Sequence, residues 1–184
     1  MDPFHHLHEE DYRLPYNKVI SNDSLINVYN RKYKKLKYRW KFFIDPFEEG
    51  LRQKWFIENN SNNQRDYDYS HGQTINIPHS WNLKQNDLLH YTGSSWYIKR
   101  FKNTFNHKNH KIYLYFYGLS YESIIFLNNN YIGTHYGEGT PFSIDITKCL
   151  KNFNNLSILL NNQYTKDSIP MNHYDWFNYG GIYR

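Results

Sequence analysis

Lys111-Ile112-Tyr113-Leu114-Tyr115-Phe116-Tyr117-Gly118 alternates without a break: Ile112, Leu114 and Phe116 fall on one side, Tyr113, Tyr115 and Tyr117 on the other. A period of two is what a half-buried β-strand shows, and no helix presents one face this way. Gly118 ends the run. A second apolar run follows over Ser123 to Leu127, then Asn128-Asn129-Asn130, then a third run over Tyr131 to His135. Asn tolerates positive φ, so the triplet reads as the tight turn of a β-hairpin.

The same rhythm extends in both directions. Trp40 to Ile44, Thr74 to Ile77 (ending at Pro78) and Leu156 to Leu160 read as strands. Ser95 to Phe101 sets Trp96 and Ile98 against Tyr97 and Lys99. Gly118 and Gly133 read as strand closers. No segment holds a 3.6-residue period and no strand–helix–strand rhythm appears. Short strands punctuated by turns predict an all-β sandwich or barrel, and pattern alone does not separate the two.

Composition agrees. The 184 residues are 20% aromatic, with 19 Tyr and 5 Trp, and contain no alanine. Strand formers are abundant and the best helix former is missing. No apolar run approaches the ~20 residues of a membrane helix, so no membrane partner is expected. The start, Met1-Asp2-Pro3-Phe4-His5-His6, shows no secretory h-region, and the single cysteine, Cys149, has no internal partner. Both point to a cytoplasmic location.

The formal charge of +5 invites a nucleic-acid reading. Heavy use of Asn, Lys, Ile and Tyr instead points to an AT-rich coding sequence, which raises Lys without selection for phosphate binding. The strands carry no RNA-recognition signature of the RRM type, so no nucleic-acid partner is expected. The basic run Arg31-Lys32-Tyr33-Lys34-Lys35-Leu36-Lys37-Tyr38-Arg39 reads as an exposed face beside the Trp40 strand. His5, His6 and His8 with Glu9, Glu10 and Asp11 lack onward ligand spacing, so a solvated arm is expected rather than a metal site. Residues 1–30 are expected to be a poorly ordered extension, and residues 59–72 a polar surface loop.

Four stretches, in order, resemble the N-terminal sugar-binding domain of family 2 glycoside hydrolases, the β-galactosidase and β-glucuronidase family. They are Trp40-Lys41-Phe42-Phe43-Ile44-Asp45-Pro46 with Gly50 and Trp55; Ile77-Pro78-His79-Ser80-Trp81-Asn82 with Tyr91-Thr92-Gly93-Ser94-Ser95-Trp96-Tyr97; Leu114 to Gly133 with His135 to Thr147; and Tyr174-Asp175-Trp176-Phe177-Asn178-Tyr179-Gly180-Gly181-Ile182-Tyr183-Arg184. The resemblance implies a jelly-roll-like β-sandwich of the galactose-binding-domain type over residues 31–184, truncated at its C-terminal end. Trp40, Trp81 and Trp96 then supply core rings whose N–H groups need partners. Gly180 and Gly181 allow a backbone that a side chain would block.

For function, the resemblance implies a β-glycosidase hydrolysing O-glycosidic bonds, needing no cofactor. Both catalytic carboxyls would sit on a (β/α)8 barrel that follows an immunoglobulin-like domain, both outside this chain. The chain alone is therefore expected to be inactive, with no catalytic residue of its own. An oligomer would be a matter for the full-length enzyme. Asp175 is the residue the resemblance marks for substrate contact, on a loop reaching the bound sugar; an ionised carboxylate can accept bonds from a vicinal diol. Trp176 could offer a stacking face and Asn178 a donor–acceptor pair, though both suit loop support better. Gly93 stands where one galactosidase branch has a sugar-contacting Asn, a lean towards the glucuronidase pattern. Two further departures are Asn129 in place of the hairpin glycine, and Glu138 between Gly137 and Gly139. A free-standing carbohydrate-binding module, with Tyr113, Tyr115 and Tyr117 as its platform, is the alternative.

Overall fold

The computed structural model describes residues 27–57, 71–106, 109–163 and 177–183. Six antiparallel strands make the main sheet: β1 (Trp40–Asp45), β2 (Gln73–Ile75), β4 (Ser94–Lys102), β7 (Glu122–Leu127), β8 (Asn130–Tyr136) and β10 (Phe153–Asn161), in the order β2-β1-β4-β10-β7-β8. Facing it are the pair β5 (Tyr113–Phe116) and β9 (Phe142–Asp145), and the short ribbon β3 (His79–Ser80), β11 (Gly181–Ile182) and β6 (Leu119–Ser120). Apart from these strands the described residues hold two four-residue helices, α1 (Glu49–Arg52) and α2 (Trp81–Lys84), and one 3-10 turn, Asn86–Leu88. The predicted all-β class holds, and the choice between sandwich and barrel falls to the sandwich.

The core between the layers explains why each strand lies where it does. Trp40 and Phe42 of β1, Tyr97 of β4, Ile125 and Leu127 of β7 and Leu156, Ile158 and Leu160 of β10 project inward. They meet Leu114 and Phe116 of β5, Phe142 and Ile144 of β9, Leu119 of β6 and Ile182 of β11. Trp40, Trp81 and Trp96 are at most 2% exposed, so truncating any of them would cost on the order of 3–5 kcal/mol. Each indole N–H finds an oxygen: Trp40 donates to Leu36 O at 2.5 Å, Trp81 to Tyr91 O at 3.2 Å and Trp96 to the Asp45 carboxylate at 3.0 Å.

A second apolar layer lies on the outer face of the main sheet. Phe43, Trp96, Ile98, Phe126 and Leu159 pack there under Trp55 and Phe56, which follow α1. Asp45 fixes this cover by accepting from Glu49 N–H at 2.9 Å and Gly50 N–H at 2.8 Å. The central strands are thus buried on both sides. The alternation read over Ser95 to Phe101 is real, but Tyr97, the side paired with Lys99, enters the main core while Trp96 and Ile98 face the outer layer.

The hairpin turn is as expected: Asn128 and Asn129 have φ of 51° and 71°, the left-handed pair that a two-residue turn between twisted strands requires. Gly133 needs a correction. It does not close a strand but lies inside β8 opposite Ile125, beside the register shift at Ile125/Phe126. Residues 1–26 and 58–70, which carry the expected N-terminal arm and most of the polar loop, lie outside the described residues.

Candidate functional site

At one end of the sandwich three stretches converge: residues 82–93, from α2 to the start of β4, residues 161–163 at and after the end of β10, and residues 177–180 before β11. Buried asparagines brace them. The Asn82 side-chain amide lies 2.9 Å from Leu88 O, 3.1 Å from Leu89 O and 2.9 Å from Tyr91 O. Its carbonyl oxygen accepts from Gly180 N–H at 2.8 Å, across 98 positions of sequence. Asn162 takes the second corner: its amide donates to Asn178 O at 2.8 Å and its Oδ1 accepts from Gly93 N–H at 2.9 Å. Asn178 completes the brace by donating from Nδ2 to Asn162 O, while Ser120 Oγ lies 3.4 Å from Asn178 Oδ1.

The local sequence dictates this form. Backbone groups where the three connections meet need partners, and the buried side chains of Asn82, Asn162 and Asn178 each supply two donors and an acceptor at once. Gly180 sits against the Trp81 ring: a Cβ there would lie 1.8 Å from an indole carbon. Gly181 has φ of 146° and a Cβ would meet His79 O at 2.1 Å. The expected need for glycine at both positions is met, one by close approach and the other also by conformation.

Behind the brace, His79 Nδ1 is 2.8 Å from the Tyr97 hydroxyl, itself bonded by the Ile182 backbone. Burial holds Tyr97 well above the ordinary phenol range, so it keeps its proton. Burial, then the Lys84 charge, lowers His79 from 6.5 to about 4, so it is neutral near pH 7. The group is a structural pin. In front of the brace the surface is aromatic: Phe177 is 43% exposed and Tyr179 39%, with ring centroids 4.6 Å apart, and His90 lies 6.1 Å from Phe177.

Of the three sequence-marked contact residues, Asp175 and Trp176 lie outside the described residues. Asn178 is described, 7% exposed and bonded within the brace, the loop-supporting role that its residue type suits. Gly93 is committed to the same brace through Asn162. Sequence reasoning gave Asn82 no role of its own and missed Asn162, which reads as the start of another polar loop after the Leu156–Leu160 run. The available signal was a lone Asn directly after an indole, and an Asn pair, Asn161-Asn162, directly following the Leu156–Leu160 run. Among the described residues no group of three or more His, Cys, Asp or Glu could hold a metal ion.

The family model described as glycosyl hydrolases family 2, sugar binding domain, matches residues 33–184. The chain belongs to that family. A β-galactosidase of Thermoanaerobacter pseudethanolicus is 34% identical over 129 residues, which are 65% of this chain and 17% of the relative. A β-glucuronidase of Formosa agariphila is 28% identical over 150 residues, 70% of this chain and 15% of the relative. Among solved structures, a β-glucuronidase from an uncultured Clostridium superposes with a TM-score of 0.68 at 26% identity, covering 81% of this chain and 27% of the other. The family 2 chain described here thus spans less than a fifth of the length of the two curated relatives.

Proposed function

We propose that this domain serves a β-glycosidase that hydrolyses O-glycosidic bonds, and that it presents residues 174–179 to a substrate held on a catalytic barrel elsewhere in the protein. The observation that carries the reading is the asparagine brace. Asn82, Asn162 and Asn178 tie residues 177–180, which follow Asp175 closely in sequence, to two other parts of the chain, and a rigid support of this kind is what a substrate-contacting loop requires. Asp175 accepts bonds from a vicinal diol of the bound sugar.

Retaining glycosidases use two carboxyl groups about 5 Å apart. Asp45 is occupied in holding α1 and Trp96, and Asp145 accepts from Thr147 Oγ1 at 2.6 Å. The family resemblance, rather than these two residues, assigns the catalytic pair to the barrel, and on the proposed reading this chain alone is inactive. A glucuronide-like substrate is favoured by Gly93, by the Asp175-Trp176-Phe177-Asn178-Tyr179 run, and by similarity to solved β-glucuronidases.

The test is hydrolysis of aryl β-glucuronides and β-galactosides by the chain alone, and by residues 1–184 fused to the catalytic part of the similar T. pseudethanolicus enzyme. Activity confined to the fusion supports the proposal. An enzyme-like rate from the chain alone, abolished by mutating its own carboxylates, rejects it. A non-catalytic carbohydrate-binding module is the second reading. It is favoured by the outward side of β5 and the residue after it, where Tyr117 is 50% exposed and its ring centroid lies 4.8 Å from that of Tyr115.

A further inference from the structure

β11 runs towards an open strand edge. It lies between β3 and β6, with Ile182 opposite Leu119 and Gly181 opposite Ser120. One residue later Tyr183 passes Gly118: a Cβ on that glycine would lie 3.1 Å from the Tyr183 ring. Because β11 and β6 are antiparallel, each further residue carries the chain back past Gly118 and on to β5.

Among the described residues β5 has one neighbour, β9. The phase of that pairing shows what the other edge carries. Ile146 N–H donates to Ile112 O at 2.9 Å, and the Tyr113–Asp145 register carried back one step sets Ile112 opposite Ile146. Bonded and non-bonded pairs alternate in an antiparallel ladder, so Leu114 and Phe116 bond to Ile144 and Phe142. The N–H and C=O groups of Tyr113 and Tyr115 therefore point away from β9, along the open edge. Exposed edges in natural sheets are guarded by charge or proline, and Tyr113-Leu114-Tyr115-Phe116 has neither.

We infer that the edge of β5 seats a strand continuing β11, made by the residues that follow Arg184 in a longer protein, so that this strand, β5 and β9 form one ladder. The inference rests on the reading that the domain is part of a larger β-glycosidase. At about 3.4 Å per residue, four or five residues cover the edge. Leu114 and Phe116 face the core, so every second residue of the strand is apolar and packs beside them, while those between lie beside Tyr113 and Tyr115. A second copy of the chain would lose its translational and rotational freedom to pair there, whereas β11 delivers its continuation already attached and aligned.

Amide hydrogen exchange read by NMR tests this. In the 184-residue chain, Tyr113 and Tyr115 should exchange roughly tenfold or more faster than Leu114 and Phe116. Appending Thr-Val-Thr-Val-Thr-Val-Thr-Val after Arg184 should slow Tyr113 and Tyr115 by roughly tenfold or more, and a Gly-Ser repeat of equal length should leave them within about twofold. Replacing the central Val-Thr pair of the first extension by Pro-Pro, which removes two donors, should restore the fast rates. Equal rates with the two repeats, protection that survives Pro-Pro, or Tyr113 and Tyr115 as slow as their neighbours at the outset would each overturn the inference. So would protection in the unextended chain that grows with concentration as light scattering shows dimers, since a second copy would then hold the edge. None of these readouts uses hydrolysis, so failure here leaves the β-glycosidase proposal standing, and failure of that proposal leaves these rates measurable.

Discussion

Asn82 Oδ1 accepts a 2.8 Å bond from the Gly180 amide, tying α2 to the residue before β11. The same side chain reaches three carbonyls on its amide side, so one buried residue satisfies groups in two loops. Replacing it leaves the buried Gly180 amide without its acceptor and takes the donor from three part-buried carbonyls. Asn82→Ala should therefore lose about 1–3 kcal/mol, read as a lower urea midpoint. Asn82→Asp should lose a comparable amount, because a carboxylate cannot donate to Leu88 O or Tyr91 O.

Gly180 is closed to any side chain. Gly180→Ala places a methyl inside the Trp81 ring, and the rigid core on the far side of that ring leaves nowhere to move. The expected loss is on the order of 3 kcal/mol or more, read as a drop of many degrees in Tm. An unchanged Tm would mean the loop is not seated on Trp81.

The two asparagines of the hairpin should behave differently. Asn128 donates to Cys149 O at 2.8 Å and to Asn154 Oδ1 at 2.9 Å, and accepts from Asn155 N–H at 3.0 Å. Asn128→Gly keeps the turn but removes these bonds, costing about 2 kcal/mol. Asn129→Gly restores the commoner Asn-Gly turn and should change stability by no more than about 0.5 kcal/mol. Paired denaturation curves decide it.

Stability should fall as the solution is acidified below pH 6.5. His79 and His135 are buried, and burial lowers both from 6.5 to about 4, with Lys84 adding to the effect at His79. His135 Nδ1 is buried without a hydrogen-bond partner, and its ring stacks on Phe142 at 3.9 Å. Between pH 6.5 and about 4 the unfolded chain binds protons at these sites and the folded chain does not, so stability rises with pH across that window. Full protonation costs on the order of 3 kcal/mol per histidine. Urea melts should show the slope, and His135→Gln should flatten it by about one proton.

Much of the fold was legible because the decisive strands carry one-sided patterns. Tyr113, Tyr115 and Tyr117 alternate with Leu114 and Phe116, and β5 has a core face and an open face to match. Trp96 and Tyr97 were harder, since α1 and the residues after it cover the outer face and both side chains are buried. Alternation then says where the strand is and not which side is the core. The brace was the least legible part. A buried Asn and a loop Asn look alike in sequence, and only the convergence of residues 82, 162 and 178 in space gives them a shared task. Asp175 and Trp176 were marked by resemblance alone.

The most direct measurement of the central claim is kcat/KM for an aryl β-glycoside in the fusion carrying a catalytic barrel, with Asp175 and with Asp175→Asn. A carboxylate gripping a sugar diol predicts a fall of roughly 10- to 100-fold on substitution, since charge-assisted hydrogen bonds contribute about 1.5–3 kcal/mol, with the Tm unchanged. An unchanged kcat/KM would contradict the assignment of this loop to the substrate.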